Sequence, residues 1–451
     1  MRVPSRVVFL AALAFAAGCV SVDRDVAEAR AHIEAGSPAD ATEWSCELAT
    51  NSHYSTRLGQ VEAGRVAWLA GDFAASEAWF RATVDAAIDR QEGAPKVKLG
   101  DVGNTALAST VTDDRTREYY LPPYEVNFAL TYAILAQLAN GKIDDARADA
   151  RLAVYVQDTL AKTYGEDLAK KRADNADEKS RTASDSVAAQ QTAALDEMMA
   201  ASRNSWENPV LWWLTGVVFE SSGEKDMAEA SYRKASACQP ENAVFRADAE
   251  RLAQGVATPA AGMAKVVLVY EEGLVPQRES VKIPVPVYTA MSIDIPTYAE
   301  KTAWTPRRVA VSGATNLVAA APSLDVRALA ARDLSEQMPG IVVRNVTRAA
   351  VAAGAQTAVN AAGNDYAQLA VLLDNATASA IRRADTRSWA TLPDGVQVWE
   401  EGAMKPGSYQ LGIEVDGRTV AVPVTLAAGD VKLVWISDVG ELFHPVVISL
   451  K

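Results

Sequence analysis

Residues 208–242, NPVLWWLTGVVFESSGEKDMAEASYRKASACQPEN, decide the fold expected for the N-terminal half of the chain. Asn208–Pro209 is a good helix start, because Asn caps free backbone amides and Pro presets φ for the first turn. Gly223 permits the left-handed backbone that ends a helix. Pro240 stops a second helix because it has no amide donor. The stretch therefore predicts two helices joined by a tight turn.

Side-chain size in this stretch fits two crossing helices. Gly216 and Ala228 are small where the helices cross, and Trp212, Phe219 and Tyr232 fill the space between them. The order resembles a tetratricopeptide repeat, a helical hairpin of ~34 residues. The residues at the signature positions of that repeat are Trp212, Gly216, Phe219, Gly223, Ala228, Tyr232, Ala235 and Pro240.

Two weaker copies precede this hairpin. Residues 57–87 match the repeat at Gly64, Gly71 and Phe80, and residues 124–155 match it at Gly141 and Ala146. The turn glycines at 71, 141 and 223 are separated by 70 and 82 residues, so the array is interrupted. A regular solenoid keeps its period. Residues 19–256 are therefore expected to form an irregular helical domain.

The pattern changes after the linker-like residues 257–263. Strand-like runs occupy 265–270, 280–287, 292–296, 308–312, 409–415, 419–426 and 431–437, with further strands near 397 and at 446–450. Asp416–Gly417 between two of these runs predicts a hairpin turn. Residues 324–337 and 343–384 read as a helical insert, with a break near Gly363. The chain is thus expected to be a multidomain α+β protein, with a strand-rich domain at 264–451.

The first 18 residues resemble the signal peptide of a bacterial lipoprotein. Arg2 and Arg6 precede eleven apolar residues, which are too few to span a bilayer. Ala16, Ala17 and Gly18 then lead into Cys19, in the order of a lipobox. The resemblance implies a lipid on Cys19, and Val20 after it favours the outer membrane, with the protein facing the periplasm. The alternative is an ordinary secretory signal with an incidental cysteine.

Composition restricts the possible partners. The chain has 57 acidic and 44 basic residues, which argues against nucleic acid because such binding depends on Lys and Arg contacts to phosphate. Three histidines supply a zinc site poorly, so neither a metal nor a cofactor is expected. Cys46 and Cys238 could pair in an oxidising periplasm, and the sequence leaves this open.

Three sets of polar residues are possible sites. Arg387 and Trp389 could bind a planar or anionic partner, but a Trp packed over the sheet edge and covered by the Arg is favoured. Residues 271–278, EEGLVPQR, could be a functional loop, but a structural turn is favoured. Cys46 and His53 lack the orienting group and oxyanion site that catalysis needs. No catalytic motif occurs, so we expect a non-enzyme.

The combination resembles a family of uncharacterised bacterial lipoproteins with an N-terminal tetratricopeptide-like region. The matching stretches are Tyr119–Tyr120, residues 123–125, 208–242, 267–287, 348–356 and 385–397. The resemblance implies an envelope role, and some members are thought to accompany lipoproteins that activate peptidoglycan synthases. The resulting hypothesis is a lipid-anchored adaptor that binds an envelope protein through its helical repeats. The alternatives are a glycan-binding or glycan-processing lipoprotein and an oligomeric structural component.

Overall fold

A computed structural model describes most of the chain. The described residues are 25–51, 56–89, 96–97, 118–173, 178–256, 258–285, 292–312, 317–361 and 383–451. The predicted signal peptide, Cys19, His53 and the helix break predicted near Gly363 lie outside these residues. None of the described helices combines the length and the apolar character that crossing a membrane requires.

The N-terminal half of the described chain is helical, as the sequence predicts. Its elements are α1 (25–34), a 3-10 turn (Pro38–Ala41), α2 (Thr42–Asn51), α3 (Thr56–Leu69), α4 (Phe73–Ala87), the short strands β1 (Ile88–Asp89) and β2 (Lys96–Val97), α5 (Pro123–Ala139), α6 (Ile143–Ala173), α7 (Glu178–Ala193), α8 (Asp196–Met199), α9 (Pro209–Ser221), α10 (Lys225–Cys238) and α11 (Ala243–Ala253). From α2 to α6 each helix packs on the next, and α6 then packs on α9.

Three helix pairs are joined by turns of the same construction. In α3–α4, α5–α6 and α9–α10 the turn contains Gly71, Gly141 or Gly223, each with φ between 73° and 82°. Each glycine amide bonds the carbonyl three residues earlier, and the next amide bonds the carbonyl five residues earlier. Glycine takes this backbone at no steric cost, so each second helix starts two residues after its glycine.

The C-terminal half carries the sheets. Its elements are β3 (Ala264–Glu272), β4 (Arg278–Pro284), β5 (Ser292–Tyr298), β6 (Val309–Ser312), β7 (Leu317–Ala319), β8 (Ala321–Asp325), α12 (Val326–Ala361), β9 (Gly395–Met404), β10 (Gly407–Val415), β11 (Arg418–Leu426), β12 (Val431–Val439) and β13 (Leu442–Ser449). A five-stranded sheet has the order β13-β12-β3-β9-β8, with β3 and β12 parallel. A four-stranded sheet has the order β11-β10-β6-β7, and β4 pairs with β5.

The central strand of the five-stranded sheet, β3, is buried on both faces. Along β3, Val267 and Val269 join the core shared with the helices, whereas Val266, Leu268 and Tyr270 join the core shared with the four-stranded sheet. This alternation follows the two-residue period of a strand. The order of layers is therefore helices, five-stranded sheet and four-stranded sheet, and the middle sheet has no face open to water along β3.

The predicted turn at Asp416–Gly417 is confirmed. The two residues have φ of 49° and 87° and join β10 to β11, which pair without interruption. A two-residue turn with positive φ at both positions matches the twist of paired strands. The hairpin fixes which side chains of β10 and β11 face the core.

Two helical stretches differ from the sequence expectation. The charge-alternating residues of about 164–206 predict a segment with an exposed, mobile middle, but within them α6 continues to Ala173 and α7 spans Glu178–Ala193. Helix α12 runs without a break through Pro339, where the sequence pattern separates residues 324–337 from 343–384. In α12 the helix thus continues across a residue that locally favours an end.

Helix α1 is hydrogen-bonded to the turn between β12 and β13. The amide of Glu441 donates to the carbonyl of Glu34 at 2.7 Å. Gly440 has a φ of 58°, and a Cβ there would lie 2.3 Å from the Glu34 carbonyl oxygen. The start of the described chain is thus held against the end of the middle sheet.

Candidate functional site

The two loops singled out in the sequence lie side by side. The amide of Val275 donates to the carbonyl of Leu392 at 2.9 Å, and the amide of Asp394 donates to the carbonyl of Glu272 at 2.8 Å. The guanidinium of Arg30 on α1 donates to the carbonyls of Val275 and Ala390. Residues 271–278 and 387–394 therefore form one junction, which we call the loop junction.

Two buried carboxylates from the helices hold the loop junction. Glu62 on α3 accepts hydrogen bonds from the Ala390 amide at 2.6 Å and the Thr391 hydroxyl at 2.5 Å. Glu125 on α5 accepts a hydrogen bond from the Trp389 amide at 2.9 Å. Desolvation raises the pKa of each carboxyl to about 7. These contacts attach the helical layer to the C-terminal half through polar groups.

Glu271 forms a buried ion pair beside the loop junction. Its carboxylate lies 2.8 Å from Arg65 Nη2 and accepts hydrogen bonds from the hydroxyls of Tyr132 at 2.5 Å and Ser437 at 2.8 Å. The Arg65 guanidinium also lies 4.7 Å from the centroid of the Tyr132 ring. All four side chains are fully buried. A charge withdrawn from water needs such partners, so this arrangement fixes α3 and α5 against β3 and β12.

Arg387 and Trp389, the candidate binding residues, have structural partners. Trp389 is 0% exposed, and its ring centroid lies 5.9 Å from those of Phe80 and Tyr132. Arg387 donates to the carboxylate of Asp385 at 2.7 and 2.8 Å. Burial leaves Trp389 no surface on which a partner could stack, so packing, the alternative favoured by the sequence, describes its position.

Glu272 points to the other face of the sheet and meets Asp438 there. The two residues are register partners on parallel strands. Glu272 accepts a hydrogen bond from Trp304 Nε1 at 2.6 Å, and Asp438 lies 3.2 Å from Arg307 Nη1. Desolvation raises the pKa of Glu272 to about 6. The Trp304 ring packs directly on Gly395, since a Cβ added to Gly395 would lie 2.0 Å from that ring. We call these residues the carboxylate pair and its Trp304–Arg307 cover.

A further buried charge network joins α9 and α11 to the sheet. Lys265 Nζ lies 3.4 Å from Asp248 and 2.9 Å from Glu400, and Arg251 contacts both Asp248 and Glu220. Trp213 Nε1 donates to Asp248 at 2.9 Å. Sequence reasoning missed this network, Glu62, Arg65 and Glu125. For Glu62, Arg65 and Glu125 the signal in the sequence is a charge within a helical run, and it does not identify the residue that the charge contacts.

A cavity of about 280 Å³ lies between the helical layer and the start of α12. Its walls come from the loop before α9, the turn after α10, and the junction of β8 with α12. Charged or polar lining residues are Ser202, Arg203, Asn204, Glu207, Cys238, Gln239, Glu241 and Asp325. Burial and Glu207 raise the pKa of the Cys238 thiol to about 12, so this thiol is a poor nucleophile.

Repeat-signature residues sit mainly at helix crossings and turns. A Cβ on Gly64 would lie 2.8 Å from the Phe80 ring, and one on Gly216 would lie 2.5 Å from the Tyr232 ring. Trp212, Phe219, Ala146, Ala228 and Ala235 are buried. Pro240 lines the cavity just beyond α10.

The thiols of Cys46 and Cys238 are free. Among the described residues, no group of three or more His, Cys, Asp and Glu side chains is arranged to hold a metal ion. Comparison of the chain with protein-family models, with curated proteins and with solved structures gives no match.

Proposed function

We propose that this chain is a non-catalytic adaptor of the cell envelope, held on the outer membrane by a lipid on Cys19 and facing the periplasm. In this proposal the helices are irregular tetratricopeptide-like repeats, and the chain belongs to the lipoprotein family that its sequence resembles. The single observation that carries the proposal is the three helix pairs, each closed by the same glycine turn. Stacked pairs of this kind commonly serve as protein-binding surfaces.

The surface offered to a partner differs from the concave face expected of such repeats. All residues of α5 from Pro123 to Leu138 are buried, and α3 and α9 are mostly buried, because the sheet covers them. The second helices α4, α6 and α10 keep exposed positions, including Ala78, Ala148 and Ala237. We assign partner binding to this outer face.

Ion pairs between neighbouring second helices support a stable outer face. Arg81 on α4 lies 3.4 Å from Asp145 on α6, and Arg151 on α6 lies 2.6 Å from Glu224 at the start of α10. Each exposed pair contributes ~0.2–1 kcal/mol. Their contribution is therefore mainly to orient the helices relative to each other.

The proposed anchor places the folded body near the membrane. Residues 19–25 span at most roughly 20 Å when fully extended. The outer face of the helices would then lie within reach of other proteins at the same membrane surface.

In-cell photo-crosslinking tests the adaptor proposal. A photoreactive residue replaces Ala78, Ala148 or Ala237 on the outer face, and matched controls replace the exposed Ala421 or Ala428 on the far sheet. A tag follows Lys451, and a Cys19→Ala chain tests the anchor. We expect defined envelope proteins to crosslink from the helical positions only, and less without Cys19. Equal crosslinking from both sets of positions, or none from the helices, would contradict the proposal.

Glycan binding is a second candidate, favoured by the half-buried Trp304–Arg307 cover, which the buried carboxylate pair holds in place. An aromatic ring beside a guanidinium can stack on a sugar and donate hydrogen bonds to its hydroxyls. Trp389 and Trp399 are buried, so the stacking residue of this proposal is the half-buried Trp304. Trp304→Ala should abolish retention on immobilised cell-wall glycan, whereas Trp79→Ala, at a half-buried Trp on α4, should not. Equal retention of both variants would exclude this site.

A further inference from the structure

We propose that the cavity between α9, α10 and α12 binds the cationic end of a lysine or arginine side chain from a basic partner segment. The inference rests on the proposed adaptor function and names the chemistry of its partner. The cavity volume of about 280 Å³ is sufficient for one side chain of this size.

The charge of the walls determines the sign of the charge that an occupant should carry. Among the lining residues, Glu207, Glu241 and Asp325 contribute three carboxylates and Arg203 contributes one guanidinium. The neighbouring guanidinium of Arg332 is already bonded to the Ser202 carbonyl. The whole chain has a net charge of −13, so its general field also attracts a basic segment.

Backbone dipoles at the cavity also favour an occupant with a positive charge. The C-terminal end of α10 supplies Cys238 and Gln239 to the wall, and a helix C-terminus attracts cations. The opposing N-termini of α9 and α12 already have acceptors, because Asn208 Oδ1 takes the Leu211 amide and Asp325 Oδ1 takes the Ala328 amide. The positive ends of these two helices are thus engaged within the fold.

The wall is held in shape by its own hydrogen bonds. Asn204 Oδ1 accepts the amides of Trp206 and Glu207, and Asn204 Nδ2 donates to Glu207 Oε2 at 2.6 Å. Arg332 on α12 donates to the carbonyl of Ser202 at 2.7 Å. The Glu207 carboxylate is therefore positioned before any ligand arrives, which reduces the entropy lost on binding.

A titration of the full-length lipidated protein in neutral detergent tests this proposal. The probe is N-acetyl-lysine methylamide, followed by ligand-observed NMR, and its matched control is N-acetyl-norleucine methylamide, which lacks the ammonium group. We expect saturable binding of the lysine compound that is about tenfold tighter than that of the norleucine compound. Added salt should weaken it.

Variants locate the binding in the cavity. Glu207→Gln with Glu241→Gln should weaken binding of the lysine compound about fivefold or more, corresponding to ~1 kcal/mol. Asp325→Asn keeps the acceptor that caps α12 and should also weaken it. Glu250→Gln, an exposed site on α11, is the matched control and should leave it unchanged.

Two results would overturn the inference: equal binding of the two compounds, or lysine binding that the cavity variants leave unchanged. The adaptor proposal is tested separately by crosslinking. If the cavity variants still crosslink the same partner from Ala78 or Ala237 with unchanged yield, the adaptor stands and the cavity is not its contact. If the cavity binds the probe but no protein crosslinks, the adaptor proposal fails instead.

Discussion

Glu62 and Glu125 are carboxylates inside the protein whose acceptor oxygens are directed at the backbone of residues 389–391. Burial disfavours their charged forms, and the pKa of each rises from 4.5 to about 7. Between pH 4.5 and about 7 these carboxyls therefore keep their protons in the folded chain but lose them in the unfolded chain. The stabilisation that these protons give the folded state is complete below about pH 4.5 and is lost as the pH rises through about 7.

We therefore predict that the protein is more stable in mild acid than at pH 8. Each carboxyl contributes up to about 3 kcal/mol to this difference. Glu62→Gln keeps an acceptor for the Ala390 amide and removes the charge, so it should raise the free energy of unfolding at pH 8 and flatten the pH dependence. Urea unfolding at pH 5 and pH 8 measures both.

The control for this prediction is Glu43→Gln, at an exposed position on α2. This substitution should leave the pH dependence of the free energy of unfolding as it is in the original chain. A profile for Glu62→Gln as steep as that of the original chain would show that this carboxyl does not titrate on unfolding.

Gly216 is a second residue whose role can be measured. A Cβ there would lie 2.5 Å from the Tyr232 ring, which is fully buried. Gly216→Ala should lower the free energy of unfolding by ~1–3 kcal/mol through overpacking, as measured in urea.

The variant Tyr232→Leu tests whether the loss of stability in Gly216→Ala comes from the contact with the Tyr232 ring. With the ring removed, adding Gly216→Ala should cost much less than it does in the original chain. An additive double variant would mean that the loss arises from the α9 backbone and not from the contact with Tyr232.

Among the secondary-structure elements, α12 shows how tertiary packing overrides the local tendency of a proline to end a helix. A proline inside a helix removes one backbone hydrogen bond and crowds the preceding turn. Helix α12 nevertheless continues through Pro339, because Met338 and Val342 on either side of it are buried in the shared core. Tertiary packing thus holds a helix that the sequence pattern interrupts.

Pro339→Ala is accordingly predicted to stabilise the protein by ~1–3 kcal/mol, since it restores a hydrogen bond at a half-buried position. Thermal unfolding measures the gain, and Arg246→Ala on the exposed side of α11 is a neutral comparison. A lower transition temperature for Pro339→Ala would mean that the proline ring packs favourably at this position.

Elements set by short-range chemistry were predictable from the sequence. The Asp416–Gly417 turn and the Gly223 turn follow from the backbone that glycine permits, and the strand at 265–270 follows from its apolar run. The loop junction was not predictable, because Glu62 and Ala390 are 328 residues apart. Sequence patterns identify a polar loop but not the distant carboxylate that binds its amides.

At the scale of the whole molecule, helices and sheet share one core. Ile33, Tyr132, Phe219, Val269 and Trp435 all belong to the same buried cluster. The predicted boundary between residues 256 and 264 remains a prediction, but the burial places much of the helical layer and one face of the sheet in mutual contact.

We predict that the full chain unfolds in a single transition. Residues 264–451 expressed alone would expose Val267, Val269, Leu433 and Trp435 to water, at ~25 cal/mol for each Å² of apolar surface. That fragment should therefore aggregate or bind hydrophobic dyes, as light scattering and dye fluorescence would show. Two separate calorimetric transitions in the full chain, or a soluble fragment with native-like near-ultraviolet dichroism, would contradict this prediction.

The contact between Glu34 and the Gly440–Glu441 turn has a mechanical consequence. A lipid on Cys19 would transmit any pull from the membrane to α1, which is bonded to the turn that ends β12. Strand β12 is hydrogen-bonded along its length to β3 and β13. Tension at the anchor would thus be carried into the middle sheet, whose strands resist it together, and the glycine-turn helices would remain unstretched.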